Sequence, residues 1–295
     1  MDQSIITAII LGIFGLALGS FAGASVWRLR AAQLKADIES GEKVSARDKR
    51  QIAKLSNRPP HTDRSVCLHC GHTLAWYDLV PLVSWLTLGG KCRYCKKRIG
   101  WYEPVMELGL AAFFVVSYAF WPAGFDSWVA ITQFGIWLIA GVGMAILFAY
   151  DAKWYLLPNV IVFPLIGLGV INAAIVIASN NFELSVINSV LFGCVILSGL
   201  YYVIYIFSRH RWVGFGDIKL TLALALLLSD WQLAIIALFL ANLIGTIIFL
   251  PFMVTGKLDR QAHVPFGPLL IIGGGISGLF GHEILSWYLG ITLGL

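Results

Sequence analysis

An all-α, polytopic membrane fold is predicted by three features of the sequence. There are eight apolar runs, seven of them long, almost no charge inside them, and one polar loop that collects most of the basic residues. The chain is 58% hydrophobic and only 13% charged, with a mean hydropathy of +0.80; a soluble domain carries about 25% charged residues. The runs fall at residues 5–26, 105–122, 128–149, 159–178, 185–208, 218–229, 231–252 and 266–291. Leu, Ile, Val, Phe, Ala and Gly dominate each of them, and about 20 such residues cross a bilayer as a helix.

The first run follows Met1 to Ser4, which lack the basic n-region of a cleaved signal peptide, so it is read as a retained helix, residues 1–27. The sixth run is short. Ile218 to Leu228 is 11 residues, about 16 Å of helix. Either it starts inside the membrane or it is a half-helix lining a wet cavity, because irregular backbone at that depth must be buried in protein or face water.

Lys and Arg set the orientation. Fifteen of the 21 lie between Arg28 and Arg98; the other six are Lys153, Arg209, Arg211, Lys219, Lys257 and Arg260. Eight spans with the long loop in the cytoplasm put all 21 on that side and both termini outside, as the positive-inside rule requires. Dropping the sixth span moves Lys257 and Arg260 outside. The net charge of +5 therefore speaks to topology and implies no nucleic-acid partner. Asp151 and Asp217 fall at the same face.

The polar loop, residues 28–104, has two parts. Arg28 to Pro60 mixes charge with Ala and Leu and reads as a helical, surface-lying extension of the first span near anionic lipid headgroups, ended by Pro59-Pro60. Arg64 to Pro104 is compact. It holds Cys67-Leu68-His69-Cys70 and Cys92-Arg93-Tyr94-Cys95. Two such turns present four thiolates to one tetrahedral ion, and a closed four-cysteine site leaves no open position for water, so a structural zinc is expected. Gly71, Gly89 and Gly90 allow tight backbone there. The competing reading is two free or redox-active thiol pairs. His69 and His72 read as neighbours of the knuckle, and Cys194 as packing within an apolar helix.

The remaining residues, 105–295, carry the chemistry. Asp151 closes the third span in Tyr150-Asp151-Ala152-Lys153, and Asp217 sits in Gly214-Phe215-Gly216-Asp217-Ile218-Lys219. Two carboxylates within a few ångströms cannot both ionise cheaply, so such a pair holds one shared proton. The ionised acid deprotonates water while its partner polarises a scissile carbonyl. Gly214 and Gly216 let a substrate backbone approach, and Lys219 supports the turn. The competing reading is a helix-end charge paired with Lys153 or Lys219. Glu107 is expected to be structural, paired with a basic group of the loop; Glu283 is a weaker case still. Pro265-Phe266-Gly267-Pro268 breaks the last helix at its start and walls the site.

Three segments resemble the bacterial type IV prepilin leader peptidases. They are Gly19-Ser20-Phe21 with Trp27-Arg28-Leu29; Arg64 to Cys95, including Trp76-Tyr77-Asp78-Leu79-Val80-Pro81 and Ser84-Trp85-Leu86; and Gly214 to Leu220 with Pro265 to Pro268. The chain departs from the pattern at Ala22-Gly23-Ala24, at Leu68 and at Trp101-Tyr102-Glu103-Pro104. The resemblance implies a bifunctional enzyme of the bacterial inner membrane. It would remove the basic leader of prepilins or pseudopilins after a glycine, at the cytoplasmic face. It would then methylate the new amino terminus, often a phenylalanine, from S-adenosylmethionine. It implies Asp151 and Asp217 as catalytic aspartates and Cys67, Cys70, Cys92 and Cys95 as zinc ligands; no glycine-rich fingerprint marks a methyl-donor site. Two other classes compete. One is an intramembrane Gly-x-Gly-Asp protease without methyl transfer, against which the paired cysteine turns argue. The other is a proton or ion transporter, which lacks an acid chain to the far side.

Overall fold

The computed structural model describes residues 3–42, 45, 49, 65–256 and 264–293. The chain divides into two compact units, Met1–Val116 and Ser117–Leu295. Among the described residues every long element is a helix, and the only β pairing is two isolated bridges.

In the first unit, α1 (Gln3–Glu39) runs for 37 residues, about 55 Å. The expected helical extension of the first span continues to Glu39, with Ala31 and Leu34 buried along it. Pro59-Pro60 lie outside the described residues. Between α1 and α3 (Tyr102–Ala119) lie the two cysteine turns, a 3-10 turn over Trp76–Asp78, and the short α2 (Val83–Thr87). Helices α1 and α3 cross closely at two glycines one turn apart. A Cβ at Gly15 would lie 2.6 Å from Ala111 Cα, and one at Gly19 would lie 2.5 Å from Glu107 Cα. Small residues four apart let membrane helices approach this way where apolar burial alone gives no drive.

The second unit is a bundle of α4 (Trp128–Trp154), α5 (Asn159–Ser179), α6 (Leu184–Phe207), α7 (Phe215–Leu228), α8 (Trp231–Val254) and α9 (Gly267–Leu293). Residues Val195–Gly199 of α6 form a π-helical turn. Among the described residues, six helices are long and apolar enough to cross a membrane: α1, α4, α5, α6, α8 and α9. The other two predicted runs are α3 and α7. Glu103 and Glu107 lower the hydropathy of α3, and α7 has 14 residues, about 21 Å against an apolar thickness of about 30 Å.

Helix α7 survives its short length because it is the centre of the bundle, packed against α5, α6, α8 and α9. Ile218, Leu220, Thr221, Ala223, Leu224, Ala225 and Leu227 are all buried. Its last carbonyls are satisfied by protein: Asn172 Nδ2 donates to Leu227 O at 2.9 Å, and the left-handed Ser229 returns its N–H to Ala225 O. Buried protein surroundings are one of the two conditions under which such a helix end is tolerated.

Candidate active site and metal centre

Asp151 sits in the last turn of α4, which ends where Tyr155 turns left-handed. Its side chain is buried, at 5% exposure, and its Oδ2 accepts the Gly267 N–H at 3.0 Å. Gly267 opens α9, where N–H groups have no intrahelical partner. Asp217 is the third residue of α7. It reaches back so that its Oδ2 accepts the N–H of the capping residue Gly214 at 3.2 Å, the reciprocal half of a capping box. The two carboxyl groups lie close enough to interact electrostatically. Each therefore has one oxygen fixed by a backbone donor. Among the described residues, neither Oδ1 has a hydrogen-bond partner.

Leu157 packs near both Gly216 and Gly267. A Cβ on Gly216 would fall 3.0 Å from Leu157 Cβ. One on Gly267 would fall 2.7 Å from Asp151 Oδ2 and 3.4 Å from Leu157 Cδ2. Gly214 has extended backbone, and its Cβ would lie 3.3 Å from Asp217 Oδ2. The glycines expected to clear a path for substrate thus also make room for the carboxylates and for Leu157. Gly267 is a candidate site residue that the sequence marked only as part of a wall, and Leu157, just before the run that starts at Asn159, is one that it did not mark. The signal was present in Pro265 to Pro268, but a bond spanning 116 positions is not written in local pattern.

Lys219 turns away from Asp217. Its ammonium donates to Asn159 Oδ1 and lies 5.2 Å from the Phe215 ring and 5.5 Å from the Phe163 ring, so it ties α7 to the start of α5. Lys153 lies over Trp154. The first turn of α7 is held further by Ser198 of the π turn, whose hydroxyl donates to Ile218 O at 3.0 Å, and by Thr221, whose hydroxyl donates to Asp217 O at 2.9 Å. Tyr205 stacks on His210 and meets Phe215, and Tyr201 meets Phe266.

The four cysteines of the first unit converge. All four Sγ atoms lie within 4.8 Å of one another, and Cys67 to Cys95 is 3.9 Å. Tetrahedral zinc with ~2.3 Å bonds sets sulfurs about 3.8 Å apart, so the donor set fits that ion; a disulfide needs about 2.05 Å. The turns repeat one geometry. Cys67 N–H donates to His72 O and Gly71 N–H to Cys67 O; Cys92 N–H donates to Lys97 O and Lys96 N–H to Cys92 O. Bridges Val66 to Thr73 and Lys91 to Arg98 close them. In the second turn the left-handed position of Gly71 is taken by Lys96, at φ 57°. Gly89 and Gly90 shape the chain entering it, with Gly90 against the Trp85 indole.

Asp78 braces the second knuckle. Its carboxylate accepts from Arg93 Nε at 2.7 Å, the Ala75 N–H at 3.1 Å and the Tyr94 hydroxyl at 3.0 Å. Burial pushes this acid up, but the three donors outweigh it and hold it below the usual carboxylate range. His72 is exposed and stacks on Tyr94 at 3.7 Å. Glu107 does not meet a basic group as expected. It is buried and accepts the Leu82 N–H at 2.8 Å, at the start of α2. Glu283 is exposed on α9, and Cys194 is partly exposed on α6.

The fold and the site define a class: a multi-pass helical membrane protein whose bundle brings two carboxylates together and whose first unit holds a four-cysteine cluster. Residues 13–121 match the bacterial peptidase A24 N-terminal domain, and residues 138–250 the type IV leader peptidase family. A prepilin leader peptidase/N-methyltransferase of Pseudomonas aeruginosa is 32% identical over 285 residues, 94% of this chain and 91% of the relative. Those of Stutzerimonas stutzeri and Aeromonas hydrophila are 30% and 31% identical, covering 94% and 79% of this chain and 92% and 78% of theirs. No solved structure matches the chain. The chain belongs to the type IV leader peptidase family.

Proposed function

We propose that this protein removes the leader peptide of type IV prepilins or pseudopilins and then methylates the exposed amino terminus. The observation that carries the first reaction is the convergence of Asp151 and Asp217, each with one oxygen anchored by a backbone N–H and the other open. With one proton shared, the ionised carboxylate takes a proton from water as the water attacks the scissile carbonyl. The protonated partner donates to the developing oxyanion. Collapse of the tetrahedral intermediate breaks the C–N bond, and the acid that gained the water's proton returns it to the leaving amine. Gly214, Gly216 and Lys219 fix the turn that presents Asp217.

Cys67, Cys70, Cys92 and Cys95 hold a structural zinc that fixes the loop at residues 28–104, which we assign to methyl transfer; residues 105–295 carry the peptidase. S-adenosylmethionine, when bound, would supply an electrophilic methyl group on a sulfonium for the new amine. The charge count supports an orientation with the zinc loop and the aspartates at the cytoplasmic face of the inner membrane and both termini outside, where a membrane-anchored substrate presents its polar leader.

The test is the mass of the product formed from a purified prepilin, which reads cleavage and methylation together. Asp151→Asn and Asp217→Asn are each expected to lower cleavage by roughly 10³-fold or more while the protein accumulates normally. Full cleavage by either variant overturns the mechanism. Cleaved product that stays unmethylated with the donor present removes the second activity.

A further inference from the structure

The first unit contains a cavity of about 200 Å3 beside the cysteine cluster. Its wall is mostly apolar, with Leu82, Trp85 and Ile99, and carries Arg98, Glu103 and Glu107. Asp78 and Arg93 also reach it, but they neutralise each other at 2.7 Å. Glu107 is different. At 6% exposure it accepts from the Leu82 N–H and from Ser20. Among the described residues it has no cationic partner. An ionised carboxylate has about four acceptor positions, and buried carboxylates are ordinarily paired with a cation because leaving one alone is costly. A cavity that is mostly apolar and edged by such an acid suits an apolar group that carries a positive charge.

Size narrows the ligand. Whole drug-sized molecules take roughly 300–1,000 Å3, so about 200 Å3 admits one end of a larger molecule, on the scale of a single amino-acid residue. Resting on the methyl-transfer reading above, we propose that this cavity seats the organic cation of that reaction, with Glu107 as the counter-charge. Two sources share this chemistry: the sulfonium end of the donor and the amino-terminal ammonium of the cleaved substrate. Glu107 holds the cation in place and forms no bond to it. In the transfer itself the deprotonated amine attacks the methyl carbon, the carbon–sulfur bond breaks, and its electron pair stays on sulfur as a neutral thioether. The amine's proton has already passed to solvent, and the methylated product carries the positive charge as a secondary ammonium.

The experiment is equilibrium binding to the zinc-loaded full chain in lipid nanodiscs, with four probes. These are S-adenosylmethionine, its neutral product S-adenosylhomocysteine, a short peptide with a free amino-terminal aromatic residue, and the same peptide acetylated. Glu107→Gln keeps an oxygen for the Leu82 N–H and removes the charge. It is expected to weaken one charged probe at least tenfold and to leave its neutral counterpart unchanged, with zinc content intact; Glu107→Asp restores part of the loss. Loss confined to the sulfonium pair assigns the cavity to the donor, and loss confined to the peptide pair assigns it to the acceptor. Equal binding of all four probes by wild type and Glu107→Gln overturns the proposal. So does equal weakening of charged and neutral probes. A wild-type protein that binds the probes yet never methylates cleaved substrate instead overturns the methyl-transfer reading.

Discussion

Gly267 has no room for a side chain. A methyl group there would lie 2.7 Å from Asp151 Oδ2 and 3.2 Å from its carboxyl carbon, so Gly267→Ala must displace a buried carboxylate from the one N–H that fixes it. Misplacing a reacting group by about 1 Å costs about 10²-fold, and that is the expected fall in prepilin cleavage. Helix content should barely change, because alanine is the better helix former. Gly275→Ala is the control: it lies in the same helix, with nothing within 4 Å of its would-be Cβ. If both variants cleave at the wild-type rate, the Gly267 contact does not position Asp151. The two candidate aspartates could be singled out in the sequence, since a charged acid at the edge of an apolar run is an expensive residue that needs a use. Their supports could not be. Leu157 and Gly267 act through shape and a backbone donor, and neither property shows in residue type.

At the scale of elements, all eight apolar runs became helices, with ends within a few residues of those read from hydropathy, apart from α1, which continues well beyond its run. What hydropathy could not show is how the helices differ. Helix α7 is too short to span unaided and too buried to face lipid, so its stability rests on what satisfies its ends. Asn172 of α5 is 6% exposed and donates to Leu227 O at 2.9 Å and to Ser229 Oγ at 3.3 Å. Replacing it with Leu keeps the volume and leaves a buried carbonyl without its donor, which costs about 1–3 kcal/mol. Asn172→Leu is therefore expected to lower the melting temperature of the detergent-solubilised protein. Because α7 carries Asp217, cleavage should fall off at a lower temperature than in the wild type. An unchanged melting curve would mean that the helix end finds another donor. The π turn of α6 escaped the sequence for a similar reason. Val195 to Gly199 is as apolar as its surroundings, and only Ser198, bonded to Ile218 O, shows what the extra residue accomplishes.

For the whole molecule, the division into two units separates two chemistries: four thiols in one and two carboxylates in the other. Removing the metal should therefore separate the activities. Burial comes first among the effects on Cys67 and pushes its thiol up to about 12, so in the absence of a cation that sulfur is protonated at neutral pH. A metal must displace the proton, and its uptake releases protons to solvent. The sign follows. As pH falls, protons compete more strongly for the four sulfurs and the metal is held less tightly. As pH rises, it is held more tightly. Zinc retention against a fixed chelator concentration is expected to weaken steadily towards acid pH. Once the metal is stripped, the two knuckles are left with local contacts such as the bridges Val66 to Thr73 and Lys91 to Arg98, the Asp78 bonds to Arg93 and Tyr94, and the His72–Tyr94 ring contact, which do not replace the central ion. Limited proteolysis should then cut between α1 and α3 while the bundle of α4 to α9 stays whole. Methylation of a pre-cleaved substrate should disappear with the metal, and prepilin cleavage should continue. Both activities failing together along the same chelation curve would show that the zinc loop serves the peptidase as well.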